Sequence, residues 1–455
     1  MRLDFSSIPL RNRAFSDKPM TFIDKLPKEI LSAILDVVAI ETGNRSAREY
    51  WQQSQLQGLL LHAAQRSPIW KKRIGTLKAK GMRLSDLPVQ SRADAVRQVA
   101  SEGSLVKSSE TSRITKHSTS GSTGTPVPFF VTQRNGNYNS VRSLAQFFME
   151  GLDLSLNRTR VRSTRVPSEN GFIVKRHDGW AGALDGFLRT GLNKHVDYFR
   201  PNLDALCREL LKDPMGYVVA QPRVVEALFD HAGIEFFRTG GAAMLVPIAE
   251  TLHPSLRDAF VSAGIPVRAN YSCEEAALVA SECETVAEHY HVATSNVLVE
   301  VVEAEVSART GTRVGRILVT NLHSHATPFI RYDVGDVGTL LECCPCGHDG
   351  PVLSHIYGRA KSFVKHADGT ETMFFLRGKE VTAIARLDEY RIRQTGFQNI
   401  VVEIGGRDQL SAVETSGLTA LIKEHAGEEF AVEIKSTPQI NWGHSVKRLG
   451  FACEI

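Results

Sequence analysis

The run Ser118-Thr119-Ser120-Gly121-Ser122-Thr123-Gly124-Thr125-Pro126-Val127 alternates small hydroxyl residues with glycines. Hydroxyls and backbone N–H groups in such a loop can surround a phosphate, because Gly121 and Gly124 carry no Cβ to hold it off. The spacing is not the Gly-x-x-x-x-Gly-Lys-Ser/Thr of the P-loop NTPases. Further along, Tyr271-Ser272-Cys273-Glu274-Glu275 sets an aromatic face four residues before a carboxylate of the kind that a hard cation binds. The two glutamates could equally open a helix, where negative charge is welcome. Arg331-Tyr332-Asp333-Val334-Gly335-Asp336 adds two more acids. Cys283, His291 and Cys344-Pro345-Cys346-Gly347 offer four ligands of the types that Zn²⁺ takes, with His289, Cys343 and His348 as alternates.

These groups need elements to hold them. The segment 127–131 reads as a strand after the glycine loop. Residues 26–40, 56–65 and 92–100 have helical spacing, with Pro27 suited to a first turn. In the middle, short strands at 216–220 and 265–269 alternate with helices at 223–232 and 248–263, which argues an α/β architecture. Strands at 297–306 and 312–322 follow, with Gly311 in the turn. After Arg359 a smaller unit carries a strand at 399–404, a Gly405-Gly406 turn, a helix at 417–425 and a strand at 430–435. The 455 residues are too many for one ordinary core, so two or more domains are expected. Net charge is +4, from 54 basic and 50 acidic residues, too balanced to argue for nucleic acid or a membrane surface. No run approaches about 18 apolar residues, and the start lacks a signal peptide's apolar stretch. Seven cysteines, three of them at 343, 344 and 346, suit a reducing cytoplasm better than a disulfide framework.

In order, the loop at 118–127, Thr239-Gly240-Gly241-Ala242-Ala243, the run 271–276, the run 331–336 and Gly358-Arg359-Ala360-Lys361-Ser362 resemble the adenylate-forming superfamily of acyl-CoA synthetases, luciferases and peptide-synthetase adenylation domains. The chain is most similar to its phenylacetate–CoA ligase-like branch, from about residue 55 to near the C-terminus. Val127 stands where the wider superfamily often has Lys, and the branch commonly lacks that Lys.

The resemblance implies an α/β fold with a large, multi-sheet N-terminal domain over residues 1–357. A small mobile α+β domain over 358–455 follows, with the hinge near Lys361. It implies ATP-dependent, AMP-forming activation of a carboxylic acid, aryl or medium-sized, and transfer of the acyl group to CoA. The acid pocket falls within 139–200 and 216–245. Ser118, Thr119, Ser120, Gly121, Ser122, Thr123 and Gly124 would hold the ATP phosphates. Tyr271 would stack on adenine, with Gly240 and Gly241 giving close backbone approach. Asp336 would reach the ribose, Arg359 the ribose or a phosphate, and Glu275 would bind Mg²⁺. Asp333 takes no carried-over role. The structural zinc set is Cys283, His291, Cys344 and Cys346. His291 is chosen over His289 because it keeps the branch's spacing to the strand at Leu298. Family members usually end in a Gly-Lys pattern, but here the run is Gly443-His444-Ser445-Val446-Lys447-Arg448, so Lys447 is the nearest catalytic cation. Two rivals stay open: an amide- or acyl-protein-forming ligase, and a nucleotide-binding protein with impaired catalysis. The implied partners are a small carboxylic acid, ATP and the acceptor, CoA or an amine. Nucleic acid and membrane are not expected, and a homodimer is left open.

Overall fold

The computed structural model describes residues 28–75, 83–111, 113–119, 126–164, 166–185, 188–199, 201–306, 313–356, 363–374, 376, 378–385, 387, 389–406, 409–441 and 451–455. The N-terminal helical periodicity becomes helices Lys28–Thr42, Arg45–Arg66 and Pro68–Ile74. Local signals start them. The Asn44 side chain accepts from the Ala47 N–H, and Ser67 caps the third helix, with Pro68 in its first turn. Helix Arg92–Glu102 opens on a capping box of Ser91 and Asp94. Leu56, Leu59, Leu60 and Trp70 pack against Leu322 and Ile330, so this layer rests on segments that carry the later motifs.

A five-stranded sheet runs in the order Phe172–Asp178, Leu192–Tyr198, Arg158–Ser163, Gly216–Ala220, Ala242–Pro247. The last four are parallel, and the first is an antiparallel edge. One face buries Val161, Val196, Val218 and Leu245 against helices Leu203–Leu210, Pro222–Thr239 and Pro254–Ser262. The other face meets helix Gln133–Glu150 through Tyr217 and Met244. The helix expected over 248–263 begins only at Pro254. A residue that precedes proline is pushed out of the helical region, and Ala249 has a φ of 68°, so residues 248–253 cannot join it. The strand expected at 265–269 reduces to one parallel bridge, Val267 to Leu245.

The second large sheet is antiparallel throughout. Its seven strands run Val297–Val306, Arg313–Asn321, Tyr332–Leu341, Val352–Ser354, His289–Val292, Ala277–Glu282, Asn270–Cys273. Strands Ile114–Ser118 and Pro128–Thr132 form a separate hairpin that brackets the glycine-rich loop. The C-terminal part has its own four-stranded sheet, in the order Ala431–Thr437, Asn399–Gly405, Glu389–Gly396, Phe451–Cys453. Its hydrophobic cluster, which includes Ile392, Val402, Leu418 and Phe451, draws only on residues from 364 to 453. The boundary expected at 357/358 and the hinge Lys361 lie outside the described residues. No helix among the described residues is long and apolar enough to cross a membrane.

Candidate active site and cysteine cluster

The two acidic motifs lie on different strands of the antiparallel sheet, and its curl brings them together. Tyr271 donates from its hydroxyl to Asp336 Oδ2 at 2.8 Å. Tyr332 donates to Glu275 Oε1, also at 2.8 Å. Each motif thus supplies one tyrosine and one carboxylate, and the pairs are crossed. Glu275 sits in the hairpin turn between Asn270–Cys273 and Ala277–Glu282, so these acids do not open a helix. Two asparagines hold that turn by its carbonyls. Asn321 donates to Glu275 O at 2.9 Å, and Asn296 donates to Ala276 O at 2.7 Å and Leu278 O at 2.8 Å.

Burial pushes the Glu275 carboxyl above its usual range, although the Tyr332 hydrogen bond and the Arg92 charge oppose it. Burial and the nearby Asp336 carboxylate push the Tyr271 hydroxyl far up, so Tyr271 stays a proton donor. A buried carboxylate that remains short of positive charge is a ready place for a cation.

Of the phosphate-loop residues, Ser118 and Thr119 are described, while Ser120, Gly121, Ser122, Thr123 and Gly124 lie outside the described residues. The loop's two ends are tied together: Thr119 N–H donates to Val127 O at 3.0 Å and Val127 N–H donates to Thr119 Oγ1 at 2.9 Å. Arg92 joins them, donating from Nη2 to Thr119 Oγ1 at 2.8 Å. Its charge also reaches Glu275 and Tyr332. Sequence reasoning passed over Arg92 as an ordinary residue of a helix. The available signal was its place just after the Ser91 cap, on the first turn of a helix aimed at the loop.

Beside Glu275 opens a small cleft. Phe129 and Val131 of the hairpin, Asn135 and Asn139 of helix Gln133–Glu150, and Asn321 and Thr327 are among its walls. Its asparagines make it more polar than an apolar acid pocket.

Other expected residues fall elsewhere. Gly240 and Gly241 occupy the turn before strand Ala242–Pro247, hydrogen-bonded to Met215 and Gly216 through their carbonyls. They stand at the amino end of a parallel strand, whereas open α/β sheets bind ligands at the carboxyl ends. The glycines answer a packing need. A Cβ on Gly240 would lie 2.4 Å from Met215 Cε, and Gly241 has a φ of 69°. The assignment of this pair to adenine is therefore corrected to a turn. Asp333 is paired with Arg316 at 2.7 Å, and Arg331 is buried with a φ of 50° and pairs with Glu300 at 3.0 Å. Arg359 and Lys447 lie outside the described residues.

At the far side of the same sheet, Cys283, His291, Cys344 and Cys346 present ligand atoms that all lie within 4.8 Å of one another. They come from three segments: the end of one strand, the strand His289–Val292 and the turn at 343–348. The Cys346 Sγ to His291 Nε2 distance is 3.5 Å. His289 is close too, with Nδ1 3.6 Å from Cys344 Sγ. The turn is closed by Cys344 N–H donating to His348 O at 3.0 Å, and Gly347 takes a φ of 94°. The His348 ring stacks on His291 at 4.1 Å.

No protein-family model matches the sequence, and no curated protein matches it. Among solved structures, 2-hydroxyisobutyryl-CoA ligase in its postadenylation state, in complex with 2-HIB-AMP, is similar over 91% of this chain and 91% of that one, with a TM-score of 0.64 and 18% identity. The same ligase with 2-HIB-AMP and CoA in the thioesterification state gives a TM-score of 0.55 at 18% identity, again over 91% of each chain. The chain has the adenylate-forming ligase fold. Within that fold, the crossed tyrosine–carboxylate pairs, Arg92 and the cleft are this chain's own geometry, since identity this low carries over no residue.

Proposed function

We propose that the chain is an ATP-dependent, AMP-forming ligase that activates a carboxylic acid as its acyl-adenylate and passes the acyl group to CoA. The observation that supports this best is the convergence of Glu275, Tyr332, Tyr271 and Asp336 beside the Arg92–Thr119 edge of the glycine-rich loop. The acid occupies the cleft next to Glu275, where Asn135 and Asn139 suit an acid that carries a polar group. The 2-hydroxyisobutyryl-CoA ligase structures hold an acyl-adenylate and, in one state, CoA, which favours CoA over an amine.

In this reading the loop at 118–124 cradles the triphosphate, and Arg92, fixed on Thr119, supplies positive charge beside it. That charge stands in part for the lysine that Val127 replaces. Tyr271 packs along the nucleotide base, and Asp336 exchanges its Tyr271 hydrogen bond for the ribose hydroxyls. Arg359 adds a contact from outside the described residues. Glu275, buried and short of cations, fits Mg²⁺, and a bound Mg²⁺ neutralises phosphate charge. Tyr332 keeps one oxygen of Glu275 oriented. A domain over residues 358–455, hinged near Lys361, would bring Lys447 to the acyl carboxylate and α-phosphate, where a cation acts mainly in the transition state.

The cysteine cluster is proposed as a structural zinc site. Three thiols and an imidazole form a donor set that Zn²⁺ takes tetrahedrally, and four protein ligands leave no open position. Burial pushes Cys344 up to about 12, while against burial hydrogen bonds from Thr285 and Val286 pull Cys283 down, so the thiols differ in how readily each would bind as thiolate.

ATP–pyrophosphate exchange across a panel of short hydroxy acids and aryl acids tests the reading. Acid-dependent exchange followed by thioester formation supports it. No exchange with any acid favours the impaired binding protein, and exchange without thioester moves the acceptor to an amine or a protein.

A further inference from the structure

Arg158, Arg160 and Arg162 follow one another at alternate positions of strand Arg158–Ser163, so they share one face of the parallel sheet. The next strand sets Asn193, His195 and Asp197 beside them, and the edge strand adds His177 and Lys175. Arg158 is engaged. It donates to Asn193 Oδ1 at 3.3 Å and lies 5.4 Å from the centre of the Trp180 ring. Arg160 and Arg162 make no hydrogen bond or ion pair with a described residue. The nearest acid, Asp197, lies 3.8 Å from Lys175 Nζ. Burial and the adjacent Arg162 charge push Arg160 down to about 10, and burial and the arginines push His195 down to about 4. Asp197, opposite Arg162 in the register, is the one acid beside them among the described residues and is shared with Lys175, so the arginines keep net positive charge that an anion would relieve.

We propose that Arg160 and Arg162 form a binding site for a phosphate-bearing ligand, and that its occupant is the phosphorylated acceptor, CoA. This rests on the CoA-ligase reading above. Alternate residues on a strand stand about 7 Å apart, so two guanidinium forks can grip a diphosphate or both sides of one phosphate. Arg162 lies at the carboxyl end of a central parallel strand, the end at which such sheets bind ligands. That end is built: Ser163 N–H donates to Gln221 Oε1 at 2.9 Å, joining it to the residue after strand Gly216–Ala220. The site and the cleft are linked by one helix. Phe147, late in helix Gln133–Glu150, packs on Trp180 at 5.2 Å, and Trp180 covers Arg158. The same helix carries Asn135 and Asn139 of the cleft near its start. A long acceptor anchored by its phosphates on the arginines would extend its thiol arm to reach that cleft.

The test is calorimetry of CoA, pantetheine (which has no phosphate) and inorganic pyrophosphate on wild type and the Arg160→Gln/Arg162→Gln variant, with thioester formation measured in parallel. The variant should bind CoA about 10-fold or more weakly, with pantetheine unaffected. Arg160→Lys/Arg162→Lys should recover part of the loss. ATP–pyrophosphate exchange, which needs no acceptor, is the control and should hold. Equal CoA affinity in wild type and the folded Gln variant overturns the site. Exchange that falls together with CoA binding overturns CoA as the occupant in favour of ATP. If wild type makes no thioester yet binds pyrophosphate through Arg160 and Arg162, the phosphate site stands and the CoA reading fails.

Discussion

On the antiparallel sheet Glu275 and Asp336 each accept a hydrogen bond from a tyrosine, whereas on the parallel sheet Arg160 and Arg162 make no ion pair with a described residue, although Asp197 stands opposite Arg162. Both regions concentrate one sign of charge, but they hold it differently. Glu275 is buried and Asp336 half-buried, and each accepts from a tyrosine hydroxyl, which is neutral and leaves the carboxylate its charge. Arg162 is exposed and Arg160 half-buried, so water screens their mutual repulsion only in part, enough for folding without an ion pair. A buried charge must be prepared by its neighbours, and a surface charge can wait for its ligand.

The comparison breaks first at Glu275. Glu275→Gln removes the charge and keeps the shape, and should lower ATP–pyrophosphate exchange by about 10²–10³-fold while leaving AMP affinity nearly unchanged. Full exchange in this variant would pass the metal role to Glu274. Asp336→Ala comes next. Losing charge-assisted hydrogen bonds to the ribose should weaken ATP by about 10–100-fold in calorimetry, and an unchanged affinity would remove the ribose contact.

The cysteine corner of the same sheet sharpens the contrast, because there the gathered groups are thiols and an imidazole, which the zinc proposed above would hold together. Wild-type protein should contain about one zinc per chain, and Cys346→Ser should lose it and melt about 5 °C lower or more, with nucleotide affinity kept. Metal-free wild-type protein with the same melting point would end the zinc reading. The smallest effect belongs to the parallel sheet. Removing a neighbouring cation favours protonation, so Arg160→Gln should move the His195 titration upward from about 4, by less than about one unit, as followed by NMR. No movement would mean that burial alone sets that histidine.

Much of this molecule was legible locally. The caps at Asn44, Ser67 and Ser91 and the strands on either side of the glycine-rich loop follow from neighbours within a few residues. Where reading failed, a local rule was overlooked or over-applied. His253-Pro254 delayed a helix that periodicity alone extended back to residue 248. Gly240-Gly241 read as a ligand loop because adjacent glycines look alike whether they admit a nucleotide or a methionine.

By itself the sequence determined which groups could do chemistry. Few residue types hold zinc, so Cys283, His291, Cys344 and Cys346 could be named from three separate segments, and the order of short motifs carried the resemblance. Only the tertiary structure decided who partners whom. Tyr271 and Asp336 lie 65 residues apart, and Glu275 and Tyr332 lie 57 apart. Their crossing depends on how a seven-stranded sheet curls, which no local spacing encodes. Arg92 reached the edge of the glycine-rich loop, and Arg160 and Arg162 stayed without an ion pair among the described residues, for the same reason. A charge acts through space on whatever the fold brings within a few ångströms, and the chain alone does not state that distance.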